Sequence, residues 1–176
     1  MKKGLILGRF QPFHLGHLAL IKKIINDKLS PLICIGSAQK NRTKENPFTK
    51  NERKTMIQSA LESLDCNYEI YEIPDINNYD FYVSHLENLV PSFDIVYTGN
   101  SLVNRLFTEA GHKVVTPKMV NREVWEGSSI RLAILEDGSW EKNVPPSVAK
   151  IISNICLLYT SPSPRDATLS RMPSSA

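Results

Sequence analysis

Short apolar runs alternate along this chain with longer stretches whose apolar residues recur at helical spacing. The runs predict strands at 4–8 (GLILG), 31–36 (PLICIG), 68–73 (YEIYEI), 93–98 (FDIVYT) and 113–116 (KVVT). Between them, LGHLALIKKIIN (15–26) carries its apolar residues from Leu15 to Ile25 at the period of a helix. The segment TKNERKTMIQSALESL (49–64) opens with Thr49 and Glu52, the pair a capping box requires. Two more helices are expected at 80–90 (DFYVSHLENLV) and 100–111 (NSLVNRLFTEAG), the second stopped by Gly111, and SSIRLAILEDG and PPSVAKIISNI close the set. The alternation is that of an α/β fold: a Rossmann-like, doubly wound parallel sheet of about five strands with crossover helices.

Residues 1–156 are read as one domain. The last stretch, 157–176 (LLYTSPSPRDATLSRMPSSA), is rich in Ser and Pro and has no apolar period, so it is expected to be a disordered tail or a non-native scar without function. Charge changes the picture little. A net charge of +3 over 176 residues identifies neither a nucleic-acid nor a membrane partner. Cys34, Cys66 and Cys156 lie far apart, which suggests neither a disulfide framework nor a zinc site. No apolar run approaches the roughly 20 residues of a membrane helix, and a cytoplasmic enzyme or binding protein is expected.

In open parallel sheets, ligands bind beyond the carboxyl ends of the strands, which directs attention to 8–17, 36–39, 74–82 and 99–100. GLILGRFQPFHLGH runs from strand to turn to helix start, where free N–H groups and the positive end of the helix dipole suit an anion. His14 and His17 add two imidazoles, Arg9 a fixed positive fork, and Gly8 and Gly16 room for close approach. Downstream, WEGSSIR gives a second small-residue helix start at Gly127 and Ser128, with Arg131 in its first turn. The plain alternatives are histidines that satisfy local hydrogen bonds and an ordinary Ser-capped helix. Two anion sites in one domain favour a polyphosphate.

GRFQPFHLGH, together with GSAQ, NPFTKNER, VYTGN and WEGSSIR, closely resembles the archaeal-type nicotinamide-nucleotide adenylyltransferases, of the nucleotidyltransferase superfamily with the H-x-G-H signature. The resemblance covers residues 2–156. It implies transfer of AMP from ATP to nicotinamide mononucleotide, giving NAD and pyrophosphate, with Mg²⁺ accompanying the ATP. By position it implies that His14 and His17 hold phosphates while Arg131 and Arg9 counter charge on the departing pyrophosphate. Gly8, Phe10, Gly16, Gly127 and Ser128 would line the adenosine side. Ser37, Ala38, Asp75, Asn78 and Tyr82 would border the mononucleotide, with Tyr82 where the family most often has Trp. Arg42 and Lys44 are candidates for a lid over the phosphates, and a homo-oligomer is implied.

Two departures are visible: Glu126 stands where relatives commonly have Ser, and the C-terminal helix runs into the Ser/Pro stretch. Competing readings are the same transfer onto nicotinate mononucleotide, phosphopantetheine or FMN, and a non-catalytic nucleotide sensor. An aminoacyl-tRNA synthetase fragment shares the H-x-G-H logic but would need a tRNA-binding extension.

Overall fold

The computed structural model describes residues 1–118 and 125–160. Among the described residues the chain forms two compact units interleaved in sequence: residues 1–9, 17–38 and 65–118 in one, residues 10–16, 39–64 and 125–160 in the other.

The first unit holds a five-stranded sheet in the order β3-β2-β1-β4-β5. Its strands are β1 (Lys3–Gly8), β2 (Ser30–Ile35), β3 (Glu69–Glu72), β4 (Ile95–Tyr97) and β5 (Lys113–Val115), and every pairing is parallel. Each coincides with one of the apolar runs. The register sets Leu5 beside Leu32 on one side and Val96 on the other. These three join Cys34, Ile73, Val83, Leu86 and Phe107 in one buried core, which places α3 (Tyr82–Leu89) and α4 (Ser101–Glu109) over that face. α1 (Leu15–Asn26) approaches β1 so closely that a Cβ on Gly4 would lie 2.7 Å from Ile24 and 3.1 Å from Tyr97. Only hydrogen fits there.

The helix expected at 80–90 is divided. Asn78 Oδ1 accepts from Asp80 N–H at 3.0 Å, which tightens residues Tyr79–Phe81 into a 3₁₀ turn, and the α-helix starts at Tyr82. Asn100 caps α4, its Oδ1 accepting from the amides of Leu102 and Val103. Either side of β1 the strand order runs in opposite directions, which makes the carboxyl end of β1 the switch point of the sheet.

In the second unit, α2 (Lys50–Leu61) begins with the expected capping box: Glu52 N–H donates to Thr49 Oγ1 at 3.1 Å, and Thr49 N–H donates to Glu52 Oε1 at 2.9 Å. Arg42 forks onto both oxygens of the same carboxylate at 2.8 Å and also donates to Pro47 C=O. The expectation of a lid does not hold for Arg42, because its guanidinium ties the 42–52 loop to the helix start; Lys44 is exposed. α2 packs on α6 (Pro146–Thr160), with Met56, Ile57, Val148 and Ile152 fully buried. α6 continues past Cys156 to Thr160, so the helix ends later than the pattern suggested, and the rest of the Ser/Pro stretch lies outside the described residues. Among the described residues, no helix is long and apolar enough to cross a membrane.

Candidate active site

In the first unit, a cavity of about 240 Å³ opens at the carboxyl ends of the strands. Gly8 and Arg9 reach it from β1, Gly36 and Ser37 from β2, Asp75 from beyond β3 and Asn100 from beyond β4. Tyr79 and Tyr82 line it from the 3₁₀ turn and the start of α3, and Leu102, Val103 and Leu106 from α4 supply apolar wall. The parallel register brings these residues together from four separate segments.

Ser37 is buried and sits at φ 48°, in the left-handed region that a side chain adopts only when its surroundings demand it. Its hydroxyl lies 2.9 and 3.1 Å from the two oxygens of Asp75 and donates to that carboxylate. Tyr82 is half-buried, touching the core on one side and lining the cavity on the other. Burial first, and then the negative charge of Asp75, push its hydroxyl up to about 12.

Two residues expected here lie elsewhere. Ala38 is buried and its N–H donates to Ile73 C=O at 3.2 Å, which joins the ends of β2 and β3 and removes that amide from the cavity wall. Asn78 is exposed and occupied as the cap of the 3₁₀ turn; Tyr79, the next residue, faces the cavity instead.

The second unit carries a cluster around Gln11 and His14. Gln11 clamps the backbone of Phe48 in both directions, its Nε2 donating to Phe48 C=O at 2.9 Å and its Oε1 accepting from Phe48 N–H at 2.8 Å. Its own carbonyl accepts from Arg131 at 2.9 Å. α5 (Gly127–Leu135) presents that arginine, and a Cβ on Gly127 would lie 2.8 Å from the guanidinium and 3.5 Å from Gln11 O. Glycine is what lets the fork lie against the helix start. Glu126 holds the N-cap position and makes no side-chain cap bond; it and Ser128 are exposed, so the Ser-capped alternative is not what forms.

His14 is only 8% exposed. Gly16 N–H donates to its Nδ1 at 3.0 Å, so the neutral ring carries its proton on Nε2. That bond uses the Gly16 amide to fix the tautomer and leaves the buried glycine no free N–H for an adenosine. Burial, and secondly the positive charge of Arg131, pull the His14 pKa down to about 3. His17 lies in the first turn of α1 and is half-buried. The Phe10 side chain does not line a cleft: it is 1% exposed at φ 54° and stacks on Phe13 with centroids 5.9 Å apart.

A linkage follows for His14. Unfolded, it titrates near 6.5; folded, near 3. Between those values the unfolded chain binds more protons, so stability is intact above pH 6.5 and falls as the pH drops toward 3. The loss reaches about 2 kcal/mol by pH 5, at roughly 1.4 kcal/mol per pH unit. Chemical denaturation from pH 7.5 to 4.5 is expected to show this acid limb, and His14→Asn to flatten it.

The cytidylyltransferase-like family profile matches residues 5–133, which spans β1 through most of α5. A nicotinamide-nucleotide adenylyltransferase of Picrophilus torridus is 46% identical over 154 residues, covering 87% of this chain and 91% of that protein. The chain belongs to the nicotinamide-nucleotide adenylyltransferases, within the cytidylyltransferase-like family. Another member, from Archaeoglobus fulgidus, is 45% identical over 159 residues, covering 87% of this chain and 91% of its own. The fold matches that of a bifunctional NMN adenylyltransferase/ADP ribose pyrophosphatase from Francisella tularensis, solved with AMP and a manganese ion, at a TM-score of 0.71 and 20% identity. The match covers 97% of this chain and 52% of that one, so this chain spans about half the length of the solved protein.

Gln11, Tyr79 and Asn100 fall in the stretches 8–17, 74–82 and 99–100 singled out after the strands, but no role was expected of them individually; Tyr79 and Asn100 line the cavity and Gln11 forms the clamp. Tyr79 had a signal: it stands three residues before Tyr82 at a helix start, the spacing that puts two side chains on one side. Asn100, ahead of Ser101, had the signature of a cap. Gln11 had none, since its partner is 37 residues away.

Proposed function

We propose that this chain transfers the AMP moiety of ATP to the 5′-phosphate of nicotinamide mononucleotide, forming NAD and pyrophosphate. The observation that carries the reading is the 46% identity, over nearly all of the relative's length, to a protein named for that transfer. An oxygen of the acceptor's 5′-phosphate attacks the α-phosphorus of ATP. The bond from that phosphorus to the α–β bridging oxygen breaks, and its electron pair leaves with pyrophosphate. The step asks for alignment and charge neutralisation, with no covalent nucleophile from the protein.

In this reading neutral His14 donates from Nε2 to a phosphate oxygen, and His17 supplies a second imidazole. Arg131 and Arg9 counter the charge that grows on the leaving group. Gly8, Gly127, Ser128 and the main chain at Phe10 are assigned to the adenosine. Ser37, Asp75 and Tyr82 receive the mononucleotide, Tyr82 lying against the pyridinium ring, an attraction of about 0.5–2 kcal/mol depending on desolvation. The divalent cation belongs to the substrate, as MgATP. Among the described residues no three His, Cys, Asp or Glu side chains gather to hold a metal ion of the protein's own. Residues 1–156 form the working enzyme in this reading, a cytoplasmic homo-oligomer, and 157–176 add nothing to the reaction.

The test incubates the protein with MgATP and, in parallel, nicotinamide mononucleotide, nicotinate mononucleotide, phosphopantetheine or FMN, following pyrophosphate release and product mass. NAD is the expected product with the first. Pyrophosphate released only with phosphopantetheine or FMN would replace the acceptor, and none released with any would leave a nucleotide sensor.

A further inference from the structure

We infer that Asp75, held by Ser37, selects the acceptor by the charge of its ring substituent, favouring an uncharged carboxamide and repelling a carboxylate. The inference rests on the reading that the first unit's cavity receives the mononucleotide.

Asp75 lines that cavity, and the Ser37 hydroxyl sits within 3.1 Å of both its oxygens. Ser37 is itself buried in a left-handed backbone conformation, so the carboxylate is held from a rigid post. Its charge reaches the aromatic wall, being the second cause, after burial, of the raised Tyr82 hydroxyl pKa. The neighbouring wall from Leu102, Val103 and Leu106 is apolar, which weakens dielectric screening.

An ionised carboxylate only accepts hydrogen bonds. It therefore meets the N–H of a carboxamide with attraction and a second carboxylate with repulsion. Like charges brought together in a binding site cost far more than they do in water, and discrimination between close analogues usually depends on such a repulsive element. Arg9, which lines the same cavity, attracts anions. The 5′-phosphate is common to both acceptors, so the part of Arg9's attraction directed at phosphate drops out of the comparison. The two acceptors differ only at the ring substituent, and among the residues that line the cavity Asp75 is the acidic side chain.

The experiment measures kcat/KM for nicotinamide mononucleotide and nicotinate mononucleotide at saturating MgATP, in the wild type and in Asp75→Asn. The wild type is expected to prefer the amide by about tenfold or more. Asp75→Asn should shrink that preference by about tenfold, chiefly through a lower KM for the acid, and Ser37→Ala by a smaller factor. Because both acceptors are assayed on one sample, the ratio does not depend on how much of a variant folds. Equal loss toward both acceptors in Asp75→Asn, or a wild type without preference, overturns the inference while the proposed function stands. A wild type that adenylylates neither overturns both.

Discussion

Arg131→Ala is expected to lower kcat about a hundredfold or more, the scale of removing one donor aimed at charge that develops in the transition state. The variant should also let the His14 pKa climb from about 3, because the guanidinium is the second cause of its depression, yet stay below 6.5, because burial is the first. An NMR titration of the His14 ring reads this directly, and steady-state kinetics read the rate. Arg131→Lys keeps the positive charge but loses the fork that meets Gln11 C=O, so it should recover the pKa more fully than the rate. Wild-type turnover in Arg131→Ala would remove the residue from the mechanism. An unmoved His14 pKa would mean that the two charges do not meet as described.

Gln11→Ala is expected to be among the most destabilising substitutions in the second unit. Gln11 is 3% exposed and Phe48 1%, so truncation strands a buried amide and a buried carbonyl. At about 1–3 kcal/mol for each orphaned group the loss is about 3 kcal/mol, or roughly 10 °C in Tm for a chain of this size. Differential scanning calorimetry gives the value. A drop of a degree or less would mean that water replaces the clamp at little cost. Because the Gln11 carbonyl also receives Arg131, activity should fall even below the new melting range, and that separates loss of position from loss of fold.

The sheet was legible because the central strands β1, β2 and β4 are short apolar runs whose burial needs little more than that, while the edge strands β3 and β5 are only partly buried. The capping box at Thr49 and Glu52 was legible because its two bonds lie within one turn. The candidate site was legible in part. Residues following strands are brought together by topology, and Gly8, Arg9, Ser37, Asp75 and Tyr82 all border one cavity. What failed was the direction a side chain takes. Phe10 sits in the right loop, but hydrophobicity does not say whether an aromatic ring meets ligand or core, and here Phe13 stacks on it. Asn78 was spent on a local turn, as short amide side chains often are. The Ala38 amide is engaged by a partner that sequence spacing does not reveal, and the Gly16 amide by His14, the local histidine hydrogen bond that was the plain alternative.

Glu52 closes the capping box and also receives both arms of Arg42. One carboxylate thus joins the beginning of α2 to the loop that precedes it. Neither can fray by itself without breaking the other's bonds, so this stretch should open and close as a single cooperative unit in hydrogen exchange, with loop amides inheriting the protection of a helix.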